Sequence, residues 1–277
     1  MSTIDLDKVT GTMLVTLQYR ATDARSRPSL LGDQAASEAL DRLREQGRSL
    51  GRLQNLAMSG DRYVVVLRAR QLDDWAAAFL AQHPDATVLQ LGCGLDSRAF
   101  RLSLPAGVHW YDVDLPEVID LRRDLYGEHE HYHMIATSVT DPGWLDQVPA
   151  TGSTLVIAEG LLMYLHPSDV KMLLTRLTDH FTGGELIFDG VADWIVRLPA
   201  WTLGPYQGFR MFWSVDDGTD VERLVPSVRH RETVQPLSRA NEIPVQRYRR
   251  LYGLIGRLGW YRNAIRLFRY SFGPDGS

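Results

Sequence analysis

An α/β fold built on a mostly parallel sheet, with helices on both faces, is the architecture this sequence predicts, and three observations predict it. Short apolar stretches alternate with helical ones from Ala86 onward. One of them, Val88 to Leu91, runs directly into the glycine turn Gly92-Cys93-Gly94. About twenty residues later, the spacing that nucleotide-binding α/β units use, a second apolar stretch ends in the acids of Tyr111-Asp112-Val113-Asp114.

The elements follow in order. Thr12 to Arg25, Gln34 to Arg44 and Leu67 to Leu80 carry apolar residues at helical spacing, so the chain begins with helices. Strands are predicted at Thr87–Leu91, Val108–Val113, His133–Ala136, Thr154–Ala158 and Glu185–Asp189, with helices such as Pro116–Leu125 and Asp169–Phe181 between them. Beyond Asp189 the chain turns aromatic, with Trp194, Trp201, Tyr206, Phe209, Phe212 and Trp213 close together, as the core of an added cap or the wall of a pocket requires. A chain of 277 residues suits one large domain. It divides into an N-terminal helical cap over 1–84, a ligand-binding core over 85–190, and a substrate cap with sheet completion over 191–277.

Composition narrows the function classes. With 44% hydrophobic and 23% charged residues the chain is ordinary globular material rather than a disordered one. The longest apolar runs are too short to span a bilayer, and the start MSTIDLDKVTG is acidic, unlike a secretory leader; no membrane partner is expected. A single cysteine, Cys93, excludes an intrachain disulfide and offers no metal cluster, so a cytoplasmic protein without a metal is expected. Ten arginines between Arg229 and Arg269 face only Glu232 and Glu242. Such a segment can line a solvated face, track nucleic acid or hold an anionic small molecule; the expected partner is a small apolar, acidic molecule and not nucleic acid. A homodimer is the candidate assembly.

The glycine turn is a cradle for an adenosine ligand, and three details favour S-adenosylmethionine (SAM) over a dinucleotide. The dinucleotide pattern needs a third small residue of its own kind where Ser97 stands. Asp96 sits where a pyrophosphate would bind and would repel it. SAM carries a sulfonium, an ammonium and one carboxylate, so strand-end acids complement it and one arginine can hold its carboxylate. Asp96, Asp114 and Glu159 each follow or end an apolar strand and converge on one crevice in a parallel sheet. Acids at such positions also cap the following helix, which is the alternative for each.

The segments LRARQLDD (Leu67–Asp74), LGCGLDSRAFRL (Leu91–Leu102), YDVDLPEVIDLRR (Tyr111–Arg123) and AEGLLMYL (Ala158–Leu165) resemble, in order and spacing, those of the leucine carboxyl methyltransferase-like SAM-dependent enzymes. The likeness is greatest to the bacterial branch that O-methylates polyketide and related acids, and it spans Leu14 to Asp189. It implies a Rossmann-like class I SAM-dependent methyltransferase fold. By position it implies that Arg68 clamps the SAM carboxylate, that Gly92 and Gly94 form the turn beneath the methionine portion, that Asp114 holds the ribose and that Glu159 faces the cofactor. Ser138-Val139 falls where the eukaryotic protein methyltransferases place an Asp-Leu pair beside adenine; a serine accepts a hydrogen bond there less strongly than a carboxylate. Arg20 occupies the place of a basic residue that meets the ligand's carboxylate, or else lies on a helix surface in solvent.

Methyl transfer to oxygen is an in-line displacement in which positioning and exclusion of water do most of the work. A carboxylate acceptor needs no general base; a phenol benefits from one, and His166 is the best-placed candidate, with Tyr164 lining the pocket. His166 can equally be an exposed residue ahead of the helix that starts at Pro167, and Tyr164 a packing residue. The expected function is a SAM-dependent O-methyltransferase of a small natural-product carboxylic acid or phenol. The alternatives are a protein carboxyl methyltransferase, a nucleic-acid methyltransferase, a nicotinamide oxidoreductase, and a methyltransferase fold that keeps SAM as a structural or electrostatic element for a rearrangement or for product binding.

Overall fold

The computed structural model describes residues 6–47, 62–198 and 210–274. Among the described residues three helices come first: α1 (Leu6–Ala24), α2 (Gln34–Glu45) and α3 (Arg62–Gln82). The sheet then begins with β1 (Thr87–Leu91), followed by α4 (Arg98–Arg101), β2 (His109–Asp114), α5 (Pro116–Tyr126), β3 (Tyr132–Ala136), β4 (Thr154–Ala158), α6 (Pro167–His180) and β5 (Gly184–Val191). The chain closes with α7 (Asp193–Val196), α8 (Gly218–Leu224), β6 (Val228–Val234), α9 (Gln246–Ile255), α10 (Gly259–Arg262) and β7 (Ile265–Phe272). Pro116 and Pro167 open α5 and α6, where a missing N–H costs nothing.

The seven strands lie in the order β3-β2-β1-β4-β5-β7-β6, parallel except for β7, which runs antiparallel to both β5 and β6. Strand periodicity explains why the sheet is covered on both sides. Leu89, Leu91, Val113, Val156 and Phe188 point to one face, where Leu173, Leu174 and Leu177 of α6 cover them. Val88, Trp110, Leu155 and Ile187 point to the other, beneath Leu72, Trp75 and Phe79 of α3. Each such side chain removed from water contributes about 1.5–3 kcal/mol. Helices α1, α2 and α5 enclose a third apolar cluster around Leu17, Leu40 and Leu121.

The order reverses at β1, which pairs with β2 on one side and β4 on the other. Ligands of open α/β sheets bind beyond the strand ends at such a switch point. The carboxyl-terminal stretch, where the sequence places a substrate cap together with sheet completion, supplies two full strands, and β7 sits inside the sheet rather than over it. Of its aromatic residues, Trp213 is buried against Phe188, whereas Trp194 is exposed and packs edge-on to Trp260. Trp201, Tyr206 and Phe209 lie outside the described residues. Among the described residues no helix is long and apolar enough to cross a membrane.

Candidate active site

The turn after β1 is held from both sides. Gly92 and Gly94 have φ of +60° and +50°, a region that favours glycine, and a Cβ on Gly92 would stand 2.9 Å from Leu161 Cδ1. Asp114, at the end of β2, accepts hydrogen bonds from the Gly94 and Leu115 amides, both at 2.7 Å. Burial nevertheless pushes the Asp114 carboxyl above its ordinary range, outweighing those two bonds. Beneath the turn, the fully buried Arg122 of α5 donates to the Gly94 and Asp96 carbonyls at 2.8 Å and pairs with Asp112. Cys93, between the glycines, is buried, and burial pushes its thiol well up, so it packs rather than reacts.

Beside this turn lies a buried assembly of ions. Helix α3 carries Arg68 and Asp73 on adjacent turns. Arg68 contacts Glu159 Oε1 through Nε at 3.0 Å and Nη2 at 2.9 Å, and Asp189 Oδ2 through Nη1 at 2.8 Å. The other Glu159 oxygen accepts from Arg98 Nη2 at 2.6 Å, and Arg98 Nε reaches Asp73 at 2.6 Å. Arg101 bridges Asp73, Asp96 and Asp33 at 2.7, 2.5 and 3.1 Å. Asp33 also caps α2 through the Ala36 amide and accepts from the Ser97 hydroxyl. Arg20 is buried, donates to the Leu95 carbonyl at 3.2 Å, and stands 3.7 Å from Asp33 and 4.0 Å from Asp96.

Burial opposes ionisation of Asp96 and Glu159, but the surrounding guanidiniums outweigh it: Arg101, Arg98 and Arg20 hold Asp96 well below the usual range, and Arg68 with Arg98 holds Glu159 below it. Asp189 goes the other way, raised by burial more than Arg68 lowers it, although the Gly160 amide also donates to it at 2.5 Å. Five carboxyls thus meet four guanidiniums, leaving one formal negative charge over in this group.

The structure therefore brings Arg68 and Glu159 together, joins Gly94 to Asp114, and ties Arg20 to the edge of the same assembly through Asp33 and Asp96. Arg20 is not a solvent-facing residue, and Asp96 and Glu159 are ion-pair partners rather than helix caps. Ser138 shares a hydrogen bond with Thr140, and the Val139 side chain is buried in the core while its carbonyl accepts from Trp144. Tyr164 ends a short turn, Leu162–Tyr164, and is half-buried. His166 is exposed, precedes α6 without capping it by its side chain, and stacks on Phe212 with ring centres 4.1 Å apart. Sequence reasoning missed Asp33, Asp73, Arg98, Arg101 and Asp189. Only Asp189 carried a usable signal, being a strand-end acid like Asp114 and Glu159.

Residues 14–178 match the leucine carboxyl methyltransferase family. The chain belongs to that family. It is 40% identical to the tetracenomycin polyketide synthesis O-methyltransferase TcmP of Streptomyces glaucescens over 98% of this chain and 99% of that protein. It is 33% identical to the S-adenosyl-L-methionine-dependent methyltransferase dpfgK of Gibberella zeae over 94% and 90%. In fold it is similar to the crystal structure of a Thermobifida fusca protein of the methyltransferase class, at a TM-score of 0.57 and 18% identity, covering 92% of this chain and 94% of that one. The strand order and reversed seventh strand are those of a class I methyltransferase sheet. The family member described here is a SAM-dependent methyltransferase.

Proposed function

We propose that this methyltransferase transfers the SAM methyl group to an oxygen of a small, apolar natural-product acid or phenol of the polyketide kind. The observation that carries the reading is the buried assembly of Arg68, Arg98, Glu159 and Asp189 beside the glycine turn. The near-full-length likeness to a polyketide O-methyltransferase supports the acceptor class.

The donor set fits SAM. The turn at Gly92 and Gly94, both at positive φ, carries no side chain that would stand between its backbone and a ligand. An excess of one carboxyl over guanidinium favours a ligand whose methionine end bears a sulfonium and an ammonium. Arg68 is the group that would take the ligand carboxylate, with Glu159 and Asp189 facing the cations. Asp114 would accept from the ribose hydroxyls, Ser138 and the Val139 backbone would stand beside adenine, and Arg20 would add positive potential near the ligand carboxylate. SAM supplies the activated methyl group. The protein orients the acceptor oxygen against it and keeps water out, so no side chain has to move a proton when the acceptor is a carboxylate. His166 would serve a phenol as base from the rim, with Tyr164 lining the approach.

The test is mass spectrometry of products after incubation with isotopically labelled SAM and a panel of aromatic acids and phenols. A labelled methyl ester or ether is expected; consumption of the acid without label would point to a rearrangement and overturn the reading. For a carboxylate the single-turnover rate should stay flat from about pH 6 to 9, because a group with a pKa near 4 is ionised throughout. A steep rise with pH that disappears in His166→Ala would instead assign a phenol acceptor and a base.

A further inference from the structure

We propose that Arg210, Phe212 and His166 form a subsite for an aromatic acid at the rim of the crevice, with Arg210 meeting the acceptor's carboxylate. This deepens the reading that the chain methylates a small apolar acid, and rests on it.

Position comes first. The Phe212 and Trp213 amides donate to the Met163 carbonyl at 2.8 and 3.3 Å, and the Val215 amide donates to Val191 at the end of β5 at 3.0 Å. The strip 210–215 is therefore stitched to the turn that begins with Glu159 and Gly160 and to the strand that carries Asp189, on the ligand side of the sheet. Along that strip three side chains stack. The Phe212 ring lies 4.1 Å from the His166 ring at 37°, and the Arg210 guanidinium carbon lies 5.3 Å from its centre.

Charge comes second. Arg210 is exposed and has no carboxylate partner among the described residues. The arginines between Arg229 and Arg269 that the sequence offered for this task are in good part engaged elsewhere. Arg239 is tied to Asp74 and Glu242, Arg266 to Asp216, and Arg269 to Glu185. Arg229 and Arg249 donate to nearby backbone carbonyls. A guanidinium lying on an aromatic face keeps its planar fork directed outward, ready for two parallel hydrogen bonds to a carboxylate. Phe212 and His166 then offer faces on which the ligand's own ring can stack.

The experiment uses the full chain saturated with S-adenosylhomocysteine and titrated with fluorescent 2-naphthoate or its neutral counterpart 2-naphthamide. The wild-type chain should prefer the naphthoate. Arg210→Gln should weaken naphthoate binding about tenfold, the worth of one charge-assisted hydrogen bond at an open site, and change naphthamide binding less than about twofold. Arg210→Lys should recover part of the loss. Arg247→Gln, which removes a similarly stacked cation over Tyr248 on α9, should leave both probes unchanged. The proposal is overturned by equal naphthoate binding to wild type and Arg210→Gln, by parallel loss of both probes, or by a wild-type chain that does not prefer the naphthoate. Failure of the wild-type chain to bind S-adenosylhomocysteine in a prior calorimetric titration would sink the parent reading, whereas binding without naphthoate preference sinks the subsite alone.

Discussion

Arg98 and Arg101 are sealed beneath the ligand end of the sheet with carboxylates at every side, whereas Arg250 on α9 and Arg257 in the turn after it are exposed to solvent, in a stretch where no acid occurs from Ile243 to Phe272. The first pair makes three ion contacts each inside a closed set, so a change at one member leaves others charged and buried. The second pair sits in high dielectric, where a lone charge is hydrated and costs little. The two regions therefore differ in how freely they can change: the closed set depends on every member, and the open one can be altered without disturbing the fold.

The sharpest way to break that comparison is Arg98→Ala. It would strand Asp73, Asp96 and Glu159 near one another without their shared cation, and should lower unfolding stability by about 3–5 kcal/mol. Urea titration followed by far-ultraviolet circular dichroism would measure it, and a loss under about 1 kcal/mol, the range of exposed pairs, would remove the distinction between the two regions. Next in size comes Arg68→Ala. If Arg68 holds the SAM carboxylate, calorimetry should find binding weaker by about 1.5–3 kcal/mol, with Arg68→Lys recovering only part because it cannot bond in two-pronged fashion. Unchanged affinity in a folded variant would assign Arg68 to Glu159 and Asp189 alone. The smallest effect belongs to Arg257→Gln, which should shift stability by less than about 0.5 kcal/mol. A larger drop in the same urea titration would mean that the open region is not free to vary.

Much of the sheet was legible because burial imposed a simple pattern. Thr87–Leu91 and Thr154–Ala158 are fully buried apolar runs and match the observed strands at both ends. Strands β6 and β7 were expected as sheet completion but not located, because Arg229, Arg231, Arg266 and Arg269 interrupt their apolar residues and suggest a binding surface instead. Those charges are satisfied sideways: Arg269 reaches Glu185 on the neighbouring strand and Arg231 reaches Ser271. Glycines and strand-end acids in the site were visible because their chemistry is local. Asp33, Asp73, Arg98 and Arg101 were invisible because the contacts that join Asp73 to Arg98 and Asp33 to Arg101 span 25 and 68 positions, and nothing nearby in the chain announces a buried partner that far away. The motifs Leu67–Asp74 and Leu91–Leu102 have a physical explanation only in the fold, where Asp73 of one is clamped by Arg98 and Arg101 of the other.

The reversed strand β7 carries a consequence for how the molecule is made. It lies between β5 and β6, yet it is the last strand in chain order. While the ribosome works on residues before Ile265, the completed β5 has a bare edge on that side, and β6 has been synthesised with no neighbour to pair with. An open edge of buried, apolar strand is adhesive toward other chains. A nascent chain thus carries an unfinished sheet until Ile265–Phe272 emerges, and a chain that stops before Ile265 lacks an interior strand rather than a trimmed tail.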